Sequence, residues 1–373
     1  MMYSTDDYIK DPLELNFGTL SDSNENIKYI RSIGICDEIP FEQLQCFLSN
    51  ENSTLYIIGN GFDLHHKLKT QYVDFKNFLK TSGEYEFLDA LSLSFNLTDD
   101  KEFLWQDLEE TIKKCISIPY SQSIHPSEQS KSYTTEQLVN KLNFISKNID
   151  SKFYDWIKSI ENTMNDNISL DYNFKKFNFV NSLFLSYNYT NVLEDYYNIS
   201  SEQIFHIHGS FSESIPETLY VGFGDSNFKV LSSYHNLITK ISADSDSDSI
   251  YKIDYSRERK GLDPVTESAL TGFLDYFTSR NKLAYISDTK LYDYVISVLN
   301  KMHSIENVVV LGHSFGPSDS YSLKLLRDRL QNDNVKWYIG VKKHSDLEYV
   351  KNYTRMIMYK MYISPNQVKF FYW

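Results

Sequence analysis

Residues 54–63, Thr-Leu-Tyr-Ile-Ile-Gly-Asn-Gly-Phe-Asp, read as a short apolar strand that ends in Gly59-Asn60-Gly61 and turns at once into a helix carrying Leu64, Leu68 and Phe75. A strand feeding a glycine turn at a helix start is the entry unit of an open α/β sheet. It presents backbone N–H groups and the positive end of the helix dipole to whatever lies beyond the strand, the geometry for holding a phosphate. Phe62 and Asp63 complete the turn. Asp63 sets a carboxylate where a phosphate would be repelled, and the third glycine of the dinucleotide fingerprint is missing, so the turn alone does not settle the ligand.

Three further polar turns follow apolar runs: Leu185-Ser-Tyr-Asn-Tyr-Thr190, Phe205-His-Ile-His-Gly-Ser210 and Val310-Leu-Gly-His-Ser-Phe-Gly-Pro-Ser-Asp319. In an open α/β sheet the loops after the carboxyl ends of the strands converge on one crevice, so four such turns predict one pocket. Strands expected at 181–187, 203–208, 218–223, 307–312, 335–341 and 367–372 alternate with helices after Thr190, Ser318 and Ser345. That alternation predicts an α/β fold, a Rossmann-like, largely parallel sheet flanked by helices.

Residues 53–373 are assigned to this domain, with helical insertions at about 84–163 and 225–305. In the first, Leu138, Leu142, Ile145, Ile149, Phe153, Trp156 and Ile160 fall at helical spacing, and Phe103, Leu104, Leu108 and Ile112 mark a shorter helix. The second contains the acidic run 243–249 and helical patterns around Leu270–Phe277 and Leu291–Leu299. Residues 1–52 are a polar N-terminal extension, expected to pack on the core or to meet a partner.

The chain has 373 residues, 41% of them hydrophobic, enough for a substantial core. Its formal net charge of −13 argues against a broad nucleic-acid footprint and against attraction to anionic membranes. The opening residues lack a signal peptide's basic start and apolar centre, and no stretch reaches the ~20 apolar residues of a membrane span, so a cytoplasmic location is expected. Cys36, Cys46 and Cys115 form no C-x-x-C pair, and the adjacent His65 and His66 diverge by about 100° on a helix. No metal site is expected, and the two histidines read as surface or partner residues.

Two positions carry candidate chemistry, one by proton transfer and one by orientation. His208, beside Gly209, sits where a neutral imidazole can act as general base, or it is a buried histidine bonded to the backbone; spacing leaves both open. On a strand it would share a face with His206. Asn188 ends another strand, where its amide either orients a water or sugar hydroxyl or closes a turn. Gly312-His-Ser-Phe-Gly316 also fits G-x-S-x-G, the nucleophile elbow of α/β-hydrolases, with Ser314 as nucleophile and Asp333 and His344 as downstream partners.

Tyr56–Leu64, followed by Leu68–Tyr72 and Asp74-Phe75, closely resembles the opening signature of the AbiH family of bacterial phage abortive-infection proteins. Trp105-x-Asp-Leu-Glu109, Asn188-Tyr-Thr190 with Leu193-Glu194, His206-Ile-His-Gly209 and Gly312-His-Ser314 with Asp319 continue the resemblance in order. A more distant similarity is to sirtuin-like NAD-binding domains. It implies Gly59 and Gly61 on the phosphate turn, Asn188 at the strand-end asparagine, His208 as catalytic histidine, and Gly312 and Ser314 on the late nucleotide loop. Asp63 departs from that pattern, and the four-cysteine zinc module of the protein deacylases is absent.

The resemblance implies an antiphage effector that binds NAD or a related nucleotide and hydrolyses its nicotinamide N-glycosidic bond. His208 and Asn188 would carry the chemistry, with residues 59–63, Gly209, Gly312, Ser314 and Asp319 around the ligand. NAD is then a substrate, and a phage-derived trigger and a second defence subunit or homo-oligomer are the expected partners. Two alternatives stand beside it: a non-catalytic nucleotide-sensing or partner-regulated defence module, and a Ser314 esterase.

Overall fold

The computed structural model describes residues 28–48, 53–95, 135–211, 305–316, 319–330 and 334–373, single positions between 97 and 112, Leu219, and short strands at 238–240 and 251–253. In chain order the elements begin with β1 (Asp37–Glu38), α1 (Phe41–Phe47), β2 (Ser53–Ile58), α2 (Asn60–His65), α3 (Tyr72–Thr81), α4 (Tyr85–Phe95) and α5 (Thr135–Asn167). They continue with β3 (Ser182–Ser186), α6 (Val192–Tyr197), β4 (Ile204–His206), β5 (Ile238–Lys240) and β6 (Tyr251–Ile253). The last are β7 (Ile305–Leu311), α7 (Ser320–Arg329), β8 (Lys336–Val341), α8 (Leu347–Met361) and β9 (Val368–Tyr372). Among the described residues, no helix is long and apolar enough to cross a membrane.

The chain divides into two compact units. The first, residues 1–71, 154–220 and 282–373, holds a seven-stranded sheet in the order β1-β9-β8-β7-β2-β3-β4. Every pairing in it is parallel. From β2 outward the chain builds β3 and β4 on one side, then returns to build β7, β8 and β9 on the other. This is the doubly wound Rossmann-like order, and its switch point lies between β2 and β7.

Alternation along the strands sorts the side chains onto two faces. Leu55 and Ile57 of β2, Val308 and Val310 of β7, and Trp337 and Ile339 of β8 join one aliphatic core with Leu326 of α7 and Met356, Ile357 and Met361 of α8. The opposite face is aromatic: Tyr56 stacks on Phe184 at 4.7 Å between ring centroids and meets Phe174 and Phe179 edge-on. Each such buried side chain contributes about 1.5–3 kcal/mol, and well-oriented ring pairs add roughly 0.5–1.5 kcal/mol.

Helix α8 starts at a defined cap. The Asp346 carboxylate accepts from the N–H groups of Glu348 (2.8 Å) and Tyr349 (3.2 Å). Asp346→Ala should therefore cost about 1 kcal/mol, read as a lower denaturant midpoint with unchanged slope.

The N-terminal extension is built into this unit where it is described: β1 adds to the β9 edge, and Ile30, Cys36, Phe41 and Leu44 are buried. The helix expected to carry Leu64, Leu68 and Phe75 is instead two helices, broken at Lys67 with φ 68°. Phe75 then belongs to the second unit, residues 72–153 and 221–281, which holds α3, α4 and the first part of α5. There Phe153 meets Phe75 edge-on, and Lys152 pairs with Glu84 at 2.5 Å. The stripe on α5 is core, as spaced, with Leu142, Ile145, Ile149, Phe153 and Trp156 all buried.

The described part of the span 225–305 is a β ribbon, β5 antiparallel to β6, followed by the start of β7. The acidic run 243–249 falls between these two strands in the chain. The patterns at 270–277 and 291–299, and the strand expected at 218–223 apart from Leu219, lie outside the described residues.

Candidate functional site

The four turns singled out in the sequence follow β2, β3, β4 and β7, which are consecutive in the sheet, so all four emerge at one edge. The turns after β2 and β7 interlock. The Gly61 N–H donates to the Gly312 carbonyl at 2.8 Å, and the Phe62 N–H donates to that of Gly59 at 2.8 Å. A Cβ on Gly59 would lie 2.4 Å from the His313 Cα, and one on Gly61 2.6 Å from the Gly312 Cα.

These glycines therefore permit backbone contact at the switch point. That changes the reason for Gly-x-Gly: Gly61 has no positive φ, the N–H groups of Gly61 and Phe62 are committed within the fold, and the left-handed residue is Gly312, with φ 67°. Asn60 is turned to Thr70, whose carbonyl accepts from its amide at 3.0 Å. Phe62 is fully buried in the aromatic face. Gly209, with φ 77°, closes a turn by donating its N–H to the His206 carbonyl.

Asp63 is buried, its carboxylate accepting from the Asn188 amide nitrogen and from the Thr190 hydroxyl, each at 2.8 Å. Burial pushes its pKa up to about 7, against the lowering effect of those bonds and of His206. The sequence made Asp63 look misplaced because its partners lie 125 and 127 residues away.

His208 is buried in the turn beyond β4, and its Nε2 lies 3.2 Å from Asp319 Oδ1. The other carboxylate oxygen of Asp319 lies 3.4 Å from Nε2 of His313. His313 Nδ1 accepts from the Phe315 N–H at 3.0 Å, which puts the His313 proton on Nε2, the nitrogen nearer the carboxylate. Asp319 thus sits between two imidazoles. It occupies the N-cap position of α7 but gives that helix no side-chain cap. The Tyr187 ring covers His313 at 4.0 Å and His208 at 5.5 Å, and its hydroxyl reaches Ser322 at 2.8 Å. Ser322 donates to the Asp319 carbonyl, so Tyr187 is the donor of that pair.

Helix α8 pins the loop after β7: the Tyr353 hydroxyl donates to the His313 carbonyl, and Lys360 donates to that of Phe315 at 2.6 Å. Burial lowers the Lys360 pKa to about 8, partly opposed by Asp319.

His206 does not share a face with His208, because β4 ends at His206 and the period of two ends with it. Its nitrogens face the Asn188 carbonyl at 3.1 Å and Glu194 at 2.8 Å, so it braces the Asn188 backbone. His66 is wholly buried rather than a surface residue. Its Nδ1 donates to the Phe62 carbonyl at 2.7 Å and its Nε2 accepts from Tyr197 at 2.5 Å, with burial lowering its pKa to about 4. His65 pairs with Asp171 at 3.0 Å and stacks on Trp373.

The elbow at Ser314 does not form. In an elbow the serine itself takes the strained turn and a helix follows directly; here the positive φ values belong to Gly312 and Phe315, Ser314 is exposed, and α7 begins at Ser320. His344 is exposed, and Asp333 lies outside the described residues.

The sequence pointed to His208, Asn188 and Asp319 but missed His313 and Thr190. The signal was present: a histidine inside the glycine turn after β7, and a hydroxyl two residues beyond Asn188. A family model described as bacteriophage abortive infection AbiH matches residues 55–341. No curated protein matches the chain.

Proposed function

Since the chain belongs to the bacteriophage abortive infection AbiH family, which places it in phage defence, we propose that it acts as an abortive-infection effector by hydrolysing the nicotinamide N-glycosidic bond of NAD or a related nucleotide. The observation that carries the reading is the contact between His208 and Asp319 at the carboxyl edge of the sheet. A carboxylate on Nε2 fixes the imidazole tautomer and makes Nδ1 the basic nitrogen, the arrangement of an oriented general base.

In this reading, water attacks the anomeric carbon as the C–N bond breaks, nicotinamide leaves with the bonding pair, and His208 takes the proton of the water. The products are nicotinamide, ADP-ribose and a proton. Asn188 lies between Tyr187 and Tyr189, whose rings both touch His208, and its amide holds the water or the ribose hydroxyls. The reading leans on the ribose end of the nucleotide, because the Gly61 and Phe62 N–H groups are already bonded and do not cradle a diphosphate.

The test is to incubate the purified protein with NAD, and to follow NAD in infected cells, measuring nicotinamide and ADP-ribose. Cleavage in either setting is the expected result. Intact NAD in both would overturn the reaction and favour the non-catalytic module, which the same committed N–H groups also suit.

A further inference from the structure

The Asn188 amide donates through Nδ2 to Asp63, while its Oδ1 is buried and has no hydrogen-bond partner among the described residues. A carboxylate can only accept, so Asp63 dictates which end of the amide faces it. We propose that Asp63 is a positioning residue that locks Asn188 with Oδ1 as a standing acceptor, so that the site selects a ligand group that donates, a ribose hydroxyl or a water. This deepens the reaction proposed above and rests on it for the identity of the ligand. A buried acceptor without a donor is costly, and a ligand hydroxyl supplies what it lacks.

The groups facing Asp63 are Asn188 and Thr190 beyond β3, His206 of β4 with its partner Glu194 of α6, and Glu161 of α5. Burial raises both Asp63 and Glu161 to about 7, so the lock is strongest above neutral pH, where Asp63 is ionised and its bonds are charge-assisted. The sign for folding is opposite: a carboxyl raised in the folded state loses stability as pH rises from about 4, its ordinary value, towards 7.

The decisive experiment follows the Asn188 side-chain amide resonances of the full chain by NMR between pH 5.5 and 8.5, assigned by their loss in Asn188→Ala. They should titrate with a midpoint near 7. The titration should vanish in Asp63→Asn. It should move to higher pH in Thr190→Val, which removes a bond that favours the ionised form. In NAD cleavage, Asp63→Asn should lower kcat/KM roughly ten- to hundredfold, the equivalent of one charge-assisted hydrogen bond. Asn188 amide signals at pH 8.5 with the same shifts in the parent and in folded Asp63→Asn would overturn the proposal, because the carboxylate would then not be what holds the amide. If Asp63→Asn does not fold, an unmoved midpoint in Thr190→Val overturns it instead. A parent that titrates as expected yet leaves NAD intact sinks the reaction and sustains the lock, so the two failures are separable.

Discussion

His208→Ala should abolish phage protection and lower NAD cleavage by ~10²–10⁴-fold in kcat, the loss of a general base, while nucleotide binding changes little. His208→Gln serves as the control for folding, since its amide can still donate to Asp319. Asp319→Asn should be intermediate, because Asn offers the imidazole an acceptor without the charge that favours the protonated ring in the transition state. Ser314→Ala should lose less than about tenfold, as expected of one exposed hydroxyl with a net worth of roughly 0.5–1.5 kcal/mol. Single-turnover cleavage by the four variants, each with its circular dichroism spectrum, ranks them. The reverse order, an inactive Ser314→Ala beside an active His208→Ala, would transfer the chemistry to the serine.

The sheet was legible because its strands are buried on both faces. Val308-Val309-Val310-Leu311 and Trp337–Val341 are short β-branched and aromatic apolar runs, the composition of central parallel strands, and the helices between them announce themselves by period. The common edge of the four turns followed from the same rule. What escaped was pairing across the sheet. Nothing in residues 54–63 states that Asp63 will meet Asn188 and Thr190, since that depends on β2 and β3 being neighbours in register, Ile58 opposite Ser186. Nor does local sequence separate a glycine that cradles an anion from one that lets two chains touch. Gly61 and Gly312 let two chains touch, because β2 and β7, distant in the chain, lie side by side at the switch point. Asp319 stands at the N-cap position of α7, yet its carboxylate lies against two imidazoles that are 111 and 6 residues upstream.

That interlock makes Gly312→Ala the most destabilising single-methyl change expected in the described residues. Two separate effects act on it. At φ 67° an alanine pays about 1–2 kcal/mol for the left-handed backbone. Its Cβ would also lie 2.3 Å from the Phe62 nitrogen and 2.4 Å from the Gly61 carbonyl carbon, main-chain atoms that no rotamer change can move. Overpacking against fixed atoms typically costs a further ~1–3 kcal/mol or more, so a total above about 3 kcal/mol is expected, a large share of the ~5–15 kcal/mol that holds a domain together. Gly83→Ala isolates the first effect, because Gly83 has φ 76° and nothing within 4 Å of a Cβ; it should lose only about 1–2 kcal/mol. Gly61→Ala isolates the second, having no positive φ but a Cβ placed 2.6 Å from the Gly312 Cα. Chemical denaturation of the three variants should put Gly312→Ala well beyond Gly83→Ala, with Gly61→Ala losing stability rather than only ligand affinity. Equal losses in Gly312→Ala and Gly83→Ala would mean that the turns after β2 and β7 separate without cost, and the site's scaffold would have to be sought elsewhere.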